Sequence, residues 1–156
     1  MKYFEHFTLG LEEEAPGRHI VTEEDIIEFG TRWDSQPFHV DPEAAKDSVF
    51  GGLVACSVHL FAMAIGLWNR ATVNEEDRTA AVSALGFNNM QLKTPARPGD
   101  ELKSKSTVIE RRSSTSKPNL GIVTFRNEVT NQNGELVILY ESAALIQKDP
   151  AEVGGG

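Results

Sequence analysis

Between Leu53 and Trp68 the chain places Leu53, Val54, Cys56, Leu60, Phe61, Met63, Ile65, Leu67 and Trp68, with no Asp, Glu, Lys or Arg among them. Wound as a helix, these side chains cover nearly every direction, and such a helix has to be enclosed on most sides. The run is shorter than the roughly 20 residues needed to span a bilayer and carries Ser57 and His59. It is therefore predicted to be a long central helix buried in protein. The rest of the chain must supply its walls.

The second half is suited to that task. Ala80–Leu92, Glu101–Arg111, Leu120–Thr130 and Glu135–Gln147 read as four strands. Apolar residues alternate at Gly121, Val123, Phe125 and Val129, and again at Leu136, Ile138, Tyr140, Ala144 and Ile146. The connections are short, and Asn131-Gln132-Asn133-Gly134 ends in the Asn-Gly pair of a hairpin turn. Consecutive strands with short links form an antiparallel sheet. An α+β design follows, in which the sheet curls around the helix and its edges suit pairing with a second copy. At 156 residues the chain is expected to form one domain over residues 1–148, with a frayed tail at 149–156.

Ahead of the helix, Thr22-Glu23-Glu24-Asp25 resembles a capping box opening an amphipathic helix over about residues 23–32. Gly30 weakens that helix slightly. Residues 33–42 hold Pro37 and Pro42 and are expected to form a stiff loop, with Pro42 starting a short helical turn. His19-Ile20-Val21 is a candidate short strand.

A net charge of −8 argues against nucleic acid as a partner, because phosphate binding needs a basic face. One cysteine, Cys56, excludes an intrachain disulfide framework and suits a reducing, cytoplasmic setting. The first residues contain no apolar segment of a secretory signal.

Two groups of residues carry chemistry. Asp34 and His39 flank Pro37, and a carboxylate beside an imidazole can hold one water and exchange its protons near neutral pH. An aspartate capping a turn and a histidine at a domain edge would explain the same two residues. Gly51-Gly52 is expected at the start of the buried helix, where free backbone N–H groups stabilise a developing oxyanion. A tight loop-to-helix turn would also call for glycine there. Together, an acid–base pair and an oxyanion donor supply what chemistry beside a thioester carbonyl requires. Ser57 could line that pocket or bond back to its own helix. Cys56 is read as core packing, and His59 as a satisfied core histidine. Asp34, His39 and Asp41 make no recognised metal-ligand spacing, so no metal is assigned.

Asp34-x-x-Pro37-x-His39-x-Asp41-x-x-x-Ala45, followed by Phe50-Gly51-Gly52-Leu53, resembles the MaoC-like dehydratases, the (R)-specific enoyl-CoA hydratase group. The likeness extends to Tyr3-Phe4-Glu5, Arg97-Pro98-Gly99-Asp100 and Ser116-Lys117-Pro118. It implies a hot-dog fold, a homodimer or dimer-based assembly, and an acyl-CoA substrate with no separate cofactor. Asp34 and His39 would hold the water that adds to the β-carbon of a trans-2-enoyl thioester, and the Gly52 N–H would bind the thioester oxygen. Dehydration of a 3-hydroxyacyl thioester is the reverse path. Trp33, Gln36 and Gly51 stand where the family pattern has Gly, Asn and His, which concentrates the substrate question beside the pair; Trp33 is expected to narrow or roof the acyl site. Lys93, Arg97 and Lys117 are candidate CoA contacts, with Arg111 and Arg112 further possibilities.

Two other functions fit the same fold. A hot-dog thioesterase would usually carry an acidic residue on or near the central helix, and Leu53–Trp68 has none. A non-catalytic acyl-CoA-binding domain would have no use for both Asp34 and His39.

Overall fold

The computed structural model describes residues 1–70 and 74–153. Two short strands, β1 (Glu12–Glu14) and β2 (His19–Ile20), precede helix α1 (Glu23–Trp33). The turns α2 (Pro37–Val40) and α3 (Pro42–Lys46) and helix α4 (Ser57–Arg70) follow. Strands β3 (Ala81–Leu92), β4 (Glu101–Ser113), β5 (Leu120–Thr130) and β6 (Leu136–Gln147) complete an antiparallel sheet ordered β1-β4-β5-β6-β3, with β2 also on β4. The four long strands lie within two residues of their expected limits, and the α+β architecture is as expected.

Thr22 caps α1, its Oγ1 accepting the Asp25 N–H at 3.1 Å. Pro37 and Pro42 each open a helical turn, because a proline's fixed φ suits the first helical position and its missing N–H is not needed there. The expected stiff loop is thus largely helical. The tail is also less frayed than expected. A turn, α5 (Pro150–Val153), follows Asp149, whose N–H donates to Glu5 Oε2 at 2.9 Å; residues 154–156 lie outside the described residues.

The buried helix is corrected in two respects. It starts at Ser57, not Leu53, and residues 53–56 run as an extended segment whose Ala55 N–H donates to the Ala96 carbonyl. It is also enclosed over only part of its circumference. Leu60, Met63, Ala64 and Leu67 form a buried stripe against Leu102, Val129, Ile138 and Tyr140 of the sheet, while Val58 and Ala62 stay exposed. One chain's sheet covers one face of a helix, so the remaining apolar surface stays uncovered.

A second cluster closes the other end of the sheet. Phe4 and Phe7 from an N-terminal 3-10 turn pack on Val108, Val123 and Ile146. The Phe4 ring occupies the place a Cβ at Gly121 would take, and Arg111 lies 4.4 Å from the ring centroid. At the open edge, β3 is exposed along nearly its whole length, including Val82, Leu85, Phe87, Met90 and Leu92.

Candidate functional site

The site forms where α1, α2 and the segment before α4 meet. Asp34 is the C-cap of α1, its N–H donating to the Gly30 carbonyl at 2.8 Å. His39 sits in α2 and is buried, whereas the Asp34 carboxylate is partly exposed. The sequence spacing does bring the two together: His39 Nε2 lies 3.7 Å from Asp34 Oδ2. That gap exceeds a direct hydrogen bond and suits one shared proton-bearing atom between them.

The orientation of His39 comes from the backbone. Its Nδ1 lies 2.6 Å from the Val54 carbonyl oxygen, and since a carbonyl only accepts, Nδ1 carries the proton. In the neutral ring the lone pair therefore sits on Nε2, facing Asp34. The Val54 N–H returns a bond to the Phe38 carbonyl at 3.1 Å, and the Phe38 ring packs against His39 and Phe50.

Gly30 lets α1 and α2 approach closely beside the pair. A Cβ there would lie 2.8 Å from the His39 carbonyl oxygen and 3.1 Å from His39 Cβ and Val40 Cγ1. Helix α1 thus rests directly on the backbone of α2 at the residue whose carbonyl also receives the Asp34 N–H. Sequence reasoning treated Gly30 as a weakness of the helix. A mid-helix glycine, at about 1 kcal/mol relative to alanine, was the available signal of a close approach.

The diglycine does not open α4; it lies in a turn five residues earlier. Gly51, at φ +65°, occupies the left-handed region, with its N–H donating to the Ser48 carbonyl. The Gly52 N–H makes no hydrogen bond to another described residue, so a free donor is present, but as a loop amide without a helix dipole behind it. Arg97 steadies this loop: Nη2 donates to the Phe50 carbonyl at 2.6 Å, and Nη1 is 3.4 Å from where a Gly52 Cβ would be. Asp41 points elsewhere, its Oδ1 accepting the N–H groups of Glu43 and Ala44 to cap α3.

Other candidates are placed apart. Trp33 is 72% exposed and lines a shallow depression with Phe29, Arg32 and His59 that neither Asp34 nor His39 borders, so it does not roof the pair within its own chain. Gln36 is the exposed N-cap of α2, its carbonyl accepting the His39 N–H. Ser57 is the exposed first residue of α4 and not a buried one. Arg97 lies beside Gly52 and the Lys93 N–H bonds the Val137 carbonyl at the same end of the sheet, but Lys117 lies beyond the other end of β4, whose 13 residues span about 40 Å of extended chain. His59 is not the satisfied core histidine expected. It is buried and stacks on Phe29 at 4.5 Å, its Nδ1 has no hydrogen-bond partner among the described residues, and burial lowers its pKa, opposed by nearby Asp25.

Comparison with known proteins gives a consistent picture. The family described as MaoC like domain matches residues 9–133. An uncharacterised Bacillus subtilis protein, YdeM, is 29% identical over 82% of this chain and 87% of its own length. A mesaconyl-CoA hydratase of Haloarcula hispanica is 35% identical over 46% of this chain, which spans only 21% of that enzyme. Among solved structures, a MaoC-like dehydratase from Rhodospirillum rubrum superposes with a TM-score of 0.85 at 31% identity, covering 96% of this chain and 99% of that one. A double hot-dog protein from Mycobacterium tuberculosis shares the fold, with a TM-score of 0.80 at 16% identity, over 96% of this chain and 45% of that one.

Proposed function

Since the chain belongs to the MaoC-like dehydratase family and has its hot-dog fold, we propose that it is an acyl-CoA hydratase/dehydratase, a carbon–oxygen lyase. It would add water reversibly across the 2,3 double bond of a trans-2-enoyl-CoA to give a 3-hydroxyacyl-CoA. The observation that carries this reading is the His39 ring, whose Nδ1 is committed to the Val54 carbonyl and whose Nε2 faces Asp34 at 3.7 Å. Water held between Nε2 and Oδ2 gives up a proton to the pair as its oxygen bonds to the β-carbon. The thioester oxygen takes up the negative charge against the Gly52 N–H, and the proton passes to the α-carbon as the enolate collapses. The thioester is itself the substrate, so the reaction uses no cofactor. Arg97 and Lys93 are the proposed CoA contacts, a reading supported by the bond of Arg97 to the Phe50 carbonyl beside Gly52.

The protein is further proposed to act as a homodimer in the cytoplasm, in acyl-CoA turnover of the fatty-acid type. A long apolar edge strand is a template for pairing, and β3 exposes Val82, Leu85 and Leu92 beside the uncovered face of α4. The test of activity is a spectrophotometric screen of enoyl-CoA substrates differing in length and branching, with Asp34→Asn as control. Loss of enoyl absorbance with the native chain and none with the variant is the expected result. Equal rates in both, or thiol release without enoyl loss, would overturn the hydratase reading.

A further inference from the structure

Residues 50–55 carry two main-chain groups on which the proposed site depends, the free Gly52 N–H and the Val54 carbonyl that meets His39 Nδ1. Consecutive residues of one loop grip both ends of that segment. The Ala55 N–H donates to the Ala96 carbonyl at 2.9 Å, and Arg97 Nη2 donates to the Phe50 carbonyl at 2.6 Å. Whatever fixes Ala96 and Arg97 therefore fixes the amide and the carbonyl held between them.

Residues 97–100 form a β-turn. The Asp100 N–H donates to the Arg97 carbonyl at 3.1 Å, and Pro98 and Gly99, at φ +91°, fill its centre as a type II turn favours. Val21 braces the turn from both sides, its N–H donating to the Asp100 carbonyl and its own carbonyl accepting the Gly99 N–H, each at 2.8 Å. The backbone thus closes the turn without help from the Asp100 side chain. That side chain is nonetheless buried, and each of its oxygens accepts a bond: Oδ2 from the Arg97 N–H at 2.8 Å and Oδ1 from Gln132 Nε2 at 2.9 Å. The Gln132 amide has one possible orientation, because its Oε1 accepts the Glu101 N–H at 3.0 Å and a backbone N–H only donates. Gln132 is free for this task. The turn between β5 and β6 is closed by Asn131, whose Oδ1 accepts the N–H groups of Asn133 and Glu135 at 3.0 and 3.1 Å.

Both groups that face Asp100 are therefore donors, and a carboxylate can accept from the two at once, where an amide would turn its NH₂ against one of them. Burying a carboxylate is costly, and a turn already closed by its backbone has little need of one. What the carboxylate adds is a fixed Arg97: the bonds run from Gln132 through Asp100 to the Arg97 backbone, and from the Arg97 guanidinium to Phe50, two residues before Gly52. We propose that Asp100 and Gln132 are positioning residues of the candidate site, holding Arg97 so that the Gly52 amide and the Val54 carbonyl stay in register with Asp34 and His39. The effect on turnover rests on the hydratase reading. The effect on the His39 ring does not, since it is observed without any reaction.

The test exchanges donor and acceptor across the Asp100–Gln132 bond in the full-length chain. Asp100→Asn sets an NH₂ against a donor, and Gln132→Glu sets two carboxylates face to face. With both changes the amide at position 100 donates to the carboxylate at position 132 and still accepts the Arg97 N–H, while that carboxylate still accepts the Glu101 N–H. Two readouts are taken: hydration of the trans-2-enoyl-CoA that the native chain turns over fastest, and ¹⁵N NMR of histidine-labelled protein, which reports the ring nitrogen of His39 that carries the proton. Each single change should lower kcat about tenfold with KM altered about twofold or less, and should move His39 from the Nδ1–H tautomer toward a mixture. The double variant should return to within about threefold of native kcat and recover the tautomer. If Asp100→Asn fails to fold, Gln132→Met removes the same bond and gives the same two readouts. Folded single variants with native kcat and an unchanged tautomer would show a merely structural role and overturn the proposal, as would a double variant no better than the worse single one. A native chain that hydrates no enoyl-CoA would overturn the hydratase reading, and the tautomer would still decide the positioning.

Discussion

The two ends of α4 are built on opposite principles. At its start, Asp34, His39 and the Gly52 loop are held mainly by backbone: the Val54 carbonyl on Nδ1, the Gly30 carbonyl on the Asp34 N–H, and the Phe50 carbonyl on Arg97. At its far end, Ser106, Asn127, Tyr140 and Ser142 border a cavity of about 1020 Å³. Chemistry on a small reacting centre needs atoms fixed to within a fraction of an ångström, and main-chain contacts provide that. Changes at the first end should therefore reduce turnover while the fold is kept.

The harshest test of the first end is removal of the pair. Asp34→Asn and His39→Ala are each expected to lower hydration by about 10²- to 10⁴-fold with an unchanged circular dichroism spectrum. A folded variant with near-native turnover would remove the pair from the mechanism.

Gly30→Ala comes next and separates positioning from stability. In an ordinary helix the change stabilises by about 1 kcal/mol. Here the new methyl meets the His39 backbone, so kcat should fall by about 10²-fold, with KM nearly constant and no gain in melting temperature. A raised melting temperature with unchanged kcat would show that α1 and α2 do not depend on this contact. Arg97→Ala, which frees the Phe50 carbonyl and loosens the Gly52 loop, should cost about tenfold in kcat/KM.

His59 ties the first end to pH. Its lowered pKa means that the folded protein favours the neutral ring, while the unfolded chain takes up a proton near 6.5. Stability from this group is therefore complete above about pH 6.5 and is lost as pH falls through the lowered folded-state value. Melting temperatures between pH 7.5 and 5 should fall with acid more in the native chain than in His59→Phe, which keeps an aromatic ring over Phe29. Parallel curves would show that the acid sensitivity lies elsewhere. The smallest effect is expected for Lys117→Ala, about twofold or less on the KM of a CoA thioester, since a surface charge at the far end of β4 is remote from its own chain's pair. A larger rise would mean that the far end of a second copy reaches the site.

Much of this was legible beforehand where local pattern and local structure coincide. Alternation in Leu120–Thr130 and Leu136–Gln147 located β5 and β6, because a strand's two faces see different surroundings. Thr22 located the start of α1, because a cap bonds within its own turn. The start of α4 lies later than the pattern suggests, because Leu53, Val54 and Cys56 are buried in an extended segment and carry no mark of being extended. His59 was misread as satisfied, because side-chain partners depend on neighbours from distant elements.

The residues alone determined the fold class, the four long strands, and Asp34 and His39 as the pair worth testing. These rest on periodicity, capping and residue chemistry, which act over a few positions of chain. The tertiary structure alone decided which nitrogen of His39 faces Asp34, why residue 30 is glycine, that the Gly52 amide is free without belonging to a helix, and that Ser106, Asn127 and Tyr140 form one row. Each of these depends on a backbone carbonyl, a close approach or a strand register. Such features join residues far apart in sequence and leave no trace in the identity of either partner.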